Sequence, residues 1–121
     1  MSRAILVVED QEDSRRIMRD LLTSAGYEVI EAVTGQQGVT AAETHLPELI
    51  LMDIQLPDFD GYEATRRIKA KPALSPIPII AVTSYALSGD DVKAFDAGCD
   101  AYVSKPFSPR ALLAKIREFL H

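Results

Sequence analysis

Leu49-Ile50-Leu51-Met52-Asp53-Ile54-Gln55-Leu56-Pro57-Asp58-Phe59-Asp60-Gly61 contains the change of character on which the fold turns. Leu49 to Met52 is apolar without alternation and too short for a helix, which suits a strand buried on both faces. Pro57, Asp58, Asp60 and Gly61 then forbid regular structure. Asp53 is therefore expected at the carboxyl end of a central strand, on the rim of the fold. A lone acid there is ordinarily a solvated turn residue, so its meaning depends on what else reaches that rim.

Other runs share the form. Ala4 to Val8 is apolar, rich in β-branched residues and ends in Glu9-Asp10, while Ile77 to Val82 is apolar and ends in Thr83-Ser84. Tyr27 to Ala32 alternates imperfectly and reads as a strand nearer an edge. Ala101-Tyr102-Val103 reads as a strand that delivers Lys105-Pro106.

Helical patterns fill the intervals. Ile17, Met18, Leu21, Leu22 and Ala25 recur at helical spacing, with Arg15, Arg16, Arg19 and Asp20 opposite, Asp13 as N-cap and Gly26 as stop. Gly35 to His45 is a weaker helix through Val39, Ala42 and Leu46, ended by Pro47. Tyr62 to Lys71 turns Ala64, Thr65 and Ile68 inward and Arg66, Arg67 and Lys69 outward. Ser88-Gly89-Asp90-Asp91 has the form of a helix start, and that helix runs through Val92 and Phe95 to Gly98. Ser108 as N-cap and Pro109 at the first helical position open a last helix that buries Leu112, Leu113, Ile116, Phe119 and Leu120.

Strands alternating with helices over short connections predict an α/β chain with a parallel sheet covered on both faces. With 121 residues, the chain reads as one domain spanning 1–121. The natural arrangement is a flavodoxin-like (βα)5 three-layer sandwich with strand order 2-1-3-4-5. Its functional crevice lies beyond the strand carboxyl ends, where the first and third strands diverge. Half of a larger barrel is the alternative, and it lacks three βα units.

Composition narrows the function. Thirteen basic against 18 acidic residues give a formal charge of −5, which argues against a basic nucleic-acid-binding surface. The single cysteine, Cys99, allows no internal disulfide and fits a reducing cytoplasm. Cys99, His45 and His121 form no metal-ligand pattern. No apolar stretch reaches membrane-spanning length, so the expectation is a cytoplasmic protein without membrane contact.

In the proposed order the polar strand ends converge. Glu9 and Asp10 follow the first strand, Asp53 ends the third, Thr83 ends the fourth and Lys105 follows the fifth. Taken singly each is ordinary. Jointly, three carboxylates within a few ångströms would repel one another unless a cation joins them. A hard, oxygen-only donor set is what Mg²⁺ (or Mn²⁺) prefers. With the acids kept ionised, Asp53 can attack phosphorus to give an aspartyl phosphate, Lys105 can neutralise phosphoryl oxygens and the Thr83 hydroxyl can donate to the dianion.

From Ala4 through the last helix, the chain resembles a response-regulator receiver domain of two-component signalling. The motifs that carry this are Val7-Val8-Glu9-Asp10, Met52-Asp53-Ile54-Gln55-Leu56-Pro57 with Asp60-Gly61, Val82-Thr83-Ser84 and Tyr102-Val103-Ser104-Lys105-Pro106-Phe107. The resemblance implies a CheY-like fold with Asp53 as phosphoacceptor and Glu9 and Asp10 as the acid pair for Mg²⁺. It makes the Gln55 backbone carbonyl a further metal ligand and Lys105 the phosphate-contacting lysine. Thr83 and Tyr102 match the pair that shifts together on phosphorylation, and Pro106 matches a proline after a cis peptide. The acid pair is Glu-Asp where many members have Asp-Asp. Gln55 and Tyr85, each two residues beyond a site residue, are expected to set the lifetime of the phosphorylated state.

The implied partners are a histidine kinase or histidine phosphotransfer protein upstream. Downstream stands a protein target at the face built by the fourth helix, fifth strand and fifth helix. A phosphatase with an aspartyl-phosphate intermediate would carry Asp-x-Asp, and Gln55 stands where its second acid belongs. A flavin module would need a Ser/Thr/Gly-rich loop after the first strand. A phosphorylation-independent interaction module would not need all five site residues. The chain reads as a stand-alone receiver similar to small cell-division receivers, with a fragment of a longer regulator or hybrid kinase as the alternative.

Overall fold

The computed structural model describes residues 3–83 and 90–120. In chain order the elements are β1 (Ala4–Val8), α1 (Glu12–Ser24), β2 (Glu28–Ala32), α2 (Gly35–His45), β3 (Leu49–Asp53), α3 (Gly61–Lys69), β4 (Ile79–Thr83), α4 (Asp90–Ala97), β5 (Ala101–Ser104) and α5 (Pro109–Phe119). The strands form one parallel sheet in the order β2-β1-β3-β4-β5, as the alternating pattern predicts.

The central strands read as unbroken apolar runs because both faces of the sheet are covered. Leu6, Val8, Ile50, Met52, Ile79 and Ala81 pack with Val39, Ala42, Ala64, Ile68 and Ala94 beneath α2, α3 and α4. Their neighbours Ile5, Val7, Leu49, Leu51, Ile80 and Val82 pack with Met18, Leu22, Leu112 and Ile116 under α1 and α5. Alternate residues thus feed two cores, each buried Leu or Ile contributing about 1.5–3 kcal/mol.

Several sequence expectations are corrected. The first helix is capped by Gln11, not Asp13, because Arg15 N already bonds to Gln11 O at 2.9 Å; Asp13 falls in the first turn, where its charge still suits the helix dipole. Met18 and Leu22 carry the inward stripe of α1, and Ile17, about 100° round the helix from Met18, is more than half exposed. Leu46 is exposed too. It adopts a left-handed cap conformation with φ 46°, where the helix stops before a proline that disfavours helical geometry in its predecessor.

On α4 the inward residues are Ala94 and Ala97, while Val92 and Phe95 stand more than half exposed. The small side chains suit a close approach to α3: a β-carbon on Gly98, which has φ +110°, would lie 3.1 Å from Lys69 Cγ. Lys69 itself does not point outward. Its ammonium folds back to Ser75 O (2.9 Å), Ile77 O (2.7 Å) and Asp100 Oδ2 (3.1 Å), tying the proline-rich loop to the foot of β5. Ser108 caps α5 as expected, accepting from Ala111 N at 2.9 Å, with Pro109 in the first turn. The expected helix start at Ser88-Gly89 lies outside the described residues, as does Tyr85.

Candidate functional site

The site is built where parallel strands end on one rim. Beyond β1 the ladder continues for one bond, Glu9 N to Ala32 O at 3.0 Å, which carries the Glu9 side chain into full burial and leaves Asp10 exposed. Beyond β3, Ile54 N donates to Val82 O at 3.2 Å, and Asp53 is almost wholly buried. Beyond β5, Lys105 N donates to Thr83 O at 2.7 Å, so the lysine is fixed through its backbone to the end of β4. The Lys105–Pro106 peptide is cis.

These ends place their side chains against one another. The Lys105 ammonium is paired with Glu9 Oε1 and stands 3.9 Å from Asp53 Oδ1. Glu9, Asp10 and Asp53 each offer a carboxylate oxygen, all within 4.8 Å of one another. An open pocket of about 220 Å³ exposes this group, lined by Asp10, Gln11, Asp53, Gln55, Leu56, Pro57 and Lys105. A larger hollow of about 430 Å³, bordered by Ser14, Ile17, Lys105, Pro106 and Phe107, adjoins the same lysine.

Electrostatics follow from burial. Loss of solvent, a shared hydrogen bond with Glu9 and the Glu9 charge raise the Asp53 carboxyl to about 7, against the opposing pull of Lys105 and the Gln55 N–H. Burial also pushes Glu9 upward, but its hydrogen bond with Asp53, the Lys105 ammonium and the Gln11 N–H outweigh it, leaving Glu9 below its ordinary value. Below about pH 7 the two adjacent carboxyls therefore share one proton, with the lysine compensating the remaining charge. Among the described residues no buried side-chain nitrogen or oxygen lacks a partner.

The donor set fits a hard divalent cation. It is all oxygen, it carries more negative charge than Lys105 can offset, and Asp10 and Gln55 open it to solvent.

Glu9, Asp10, Asp53 and Lys105 thus converge, with Gln55 on the pocket wall. Thr83 is buried at the end of β4, and Tyr102 is half-buried one strand away, in register with Ala81. Tyr102 packs against the core beneath α2, α3 and α4 rather than lining the pocket.

The sequence reading missed Arg15. Its guanidinium donates to Glu9 O (3.1 Å) and Asp10 O (3.4 Å), and Glu31 Oε1 holds it from β2 at 3.1 Å. It thereby braces the backbone that carries the acid pair. The only local signal was a basic residue on the polar side of α1. From the sequence Asp58 is likewise only a breaker of regular structure, and Phe59 carries no signal of its own.

Comparison with known proteins accords with this geometry. The family of response regulator receiver domains matches residues 5–117. The polar-differentiation response regulator DivK of Brucella ovis is 41% identical over 120 residues, covering 99% of this chain and 98% of that protein. Among solved structures, the receiver domain of a sensor histidine kinase from Pseudomonas aeruginosa PAO1, with magnesium coordinated in its active-site cleft, is 38% identical. It superimposes with a TM-score of 0.92 over 99% of this chain and 98% of that one. A CheY-like receiver domain protein from Methanospirillum hungatei JF-1 is 37% identical with a TM-score of 0.88, over 98% and 93% of the two chains. With this fold and this cluster of acids and lysine at the strand ends, the chain belongs to the response regulator receiver domain family.

Proposed function

We propose that the protein accepts a phosphoryl group on Asp53 from a phosphohistidine of a histidine kinase or histidine phosphotransfer protein, and that this switches its α4-β5-α5 face for protein-protein signalling. One observation carries the reading: Asp53 lies at a strand end with two more carboxylates and an ammonium gathered around it. Glu9, Asp10, Asp53 and the Gln55 carbonyl would hold Mg²⁺, which when bound supplies positive charge that keeps the acids ionised and offsets charge on the phosphoryl oxygens.

In the reaction an Asp53 carboxylate oxygen attacks phosphorus in line. The bond from phosphorus to the imidazole nitrogen breaks, and the imidazole leaves with the electron pair. Lys105, already between Glu9 and Asp53, neutralises the equatorial oxygens. The apolar hollow beside it, bordered by Ile17 and Phe107, offers a protein donor a surface to rest on.

The product is a dianion that the arrangement with Thr83 and Lys105 drawn inward binds best, so phosphorylation shifts the population toward it. Movement of Thr83 makes room for Tyr102, which shares the Ala81 side of the sheet, and the α4-β5-α5 surface with exposed Val92 and Phe95 is altered. Water attack on the acyl phosphate returns the ground state, with Gln55 and Tyr85 setting its rate; alanine at both should change the half-life.

The test is incubation with acetyl phosphate and Mg²⁺ followed by intact mass measurement. One phosphoryl group should appear on the wild type, be absent from Asp53→Asn and be suppressed by EDTA pretreatment. No adduct on wild type that binds Mg²⁺, with acetyl phosphate and with a panel of phosphorylated kinases alike, overturns the reading.

A further inference from the structure

The loop between β3 and α3 is fixed at both ends, and one fixing point lies well away from the acids. At its base Gly61 N donates to Ile54 O at 2.8 Å. Gly61 packs so tightly that a β-carbon there would lie 2.2 Å from the Asp53 carbonyl oxygen. At its tip Asp58 reaches α2. One carboxylate oxygen accepts from Gly35 N at 2.8 Å and the other from Gln36 N at 2.9 Å.

Those amides are donors that a helix start leaves without intrahelical partners, and the positive end of the helix adds to the attraction. Slight burial pushes the Asp58 carboxyl up, but the N–H groups of Gln36, Gly35 and Phe59 outweigh it and keep it well ionised. Phe59 reinforces the join. Its ring lies against Gly35, where a β-carbon would come within 2.6 Å, and the Arg67 guanidinium covers it at 3.9 Å from the ring centroid.

Between base and tip, Gln55, Leu56 and Pro57 form a wall of the acidic pocket. A short segment held at both ends has little freedom left in its middle, so the entropy of ordering that wall is lost on folding rather than on binding. We propose that Asp58 is a positioning residue: by clamping the loop tip to the start of α2 it fixes the Gln55–Pro57 wall, and with it the Gln55 carbonyl offered to the metal. The inference rests on the proposed function in taking that carbonyl as a Mg²⁺ ligand. Residues 35 and 58 are 23 apart in sequence, so no local pattern reveals the clamp.

The experiment is a Mg²⁺ titration of ¹⁵N-labelled wild type, Asp58→Ala and Thr34→Ala, followed by amide chemical shifts. Thr34 supplies the other cap on the same helix end, its Oγ1 accepting from Gln37 N at 3.0 Å, a bond that involves no residue of the loop. It therefore reports what mere weakening of α2 does. Asp58→Ala should raise the Mg²⁺ Kd about tenfold, the low end of what outer-sphere groups cost, while Thr34→Ala changes it less than about twofold. Unchanged affinity in Asp58→Ala, or equal weakening in both variants, overturns the clamp while leaving the metal site standing. A wild type that shows no Mg²⁺-dependent shifts overturns the metal reading, and the clamp's proposed role with it.

Discussion

Below about pH 7 Asp53 and Glu9 share one proton and one negative charge, and Lys105 balances the charge. The folded Asp53 carboxyl titrates near 7, above the value of about 3.9 for an unfolded aspartate, so the native state binds this proton more tightly. Its stabilising contribution is complete below about pH 4 and is lost as pH rises through about 7. Glu9 has the opposite sign: its folded value is lowered, so its contribution is present above about pH 4.3 and is lost as pH falls through the folded value. Asp53→Asn imitates the protonated acid. In metal-free buffer it should abolish the neutral-pH decline and melt about 5 °C or more above wild type at pH 8 by calorimetry; parallel wild-type and variant curves would contradict the shared proton. Lys105→Met leaves Glu9 fully buried without its cation and should cost about 3 kcal/mol in urea unfolding at pH 7. Single side chains are also where the sequence was least informative. Glu9, Asp10, Asp53 and Lys105 were legible because each closes an apolar run or follows it within two residues. Arg15 and Asp58 were not, because their partners are backbone groups brought near only by the fold.

Elements divide by what holds them in place. The starts and ends of β1, β3 and β4 were readable to within a residue or two, since strands covered on both faces must be apolar throughout and their polar termini stand out. Helix faces were read less well: Ile17, Leu46, Val92 and Phe95 follow an apolar spacing yet lie outside. Spacing identifies a stripe but not its centre, and on α4 small alanines take the inner positions because α3 approaches closely. The joint between β3 and α3 is the least tolerant. Gly61→Ala would drive a methyl group into the Asp53 carbonyl, and about 3 kcal/mol of destabilisation in urea is expected, at the upper end for overpacking. Ser108→Ala removes only the cap of α5 and should cost about 1 kcal/mol while leaving Mg²⁺ affinity unchanged, which makes it a fair comparison.

Across the molecule, alternation of strands and helices predicted a parallel sheet covered on both faces, and the order natural at 121 residues, 2-1-3-4-5, is the one the sheet has. The order in turn explains why residues from far apart in sequence meet: parallel strands all end on the same rim. A cation bound by these acids would couple to global stability. Mg²⁺ at roughly a hundred times its Kd should add about 2.7 kcal/mol, seen as a rise in Tm that EDTA reverses. The rise should be larger at pH 8 than at pH 5, where Asp53 holds its proton and competes with the metal; a Tm indifferent to Mg²⁺ at both pH values would exclude binding there. The placement of β3 has a further consequence. It is the middle strand of five, paired on both sides and buried along its whole length, whereas β5 is an edge strand with half-exposed Tyr102 and Val103. In hydrogen exchange, the amides of Ile50 to Ile54 should open only with the entire chain, and those of β5 and α4 through smaller, more frequent openings. Under the proposed function, modification would fall on the slower-breathing segment and the answer would come from a faster one, so a chemical event at a nearly immobile atom would be read out where less free energy is needed to rearrange the surface.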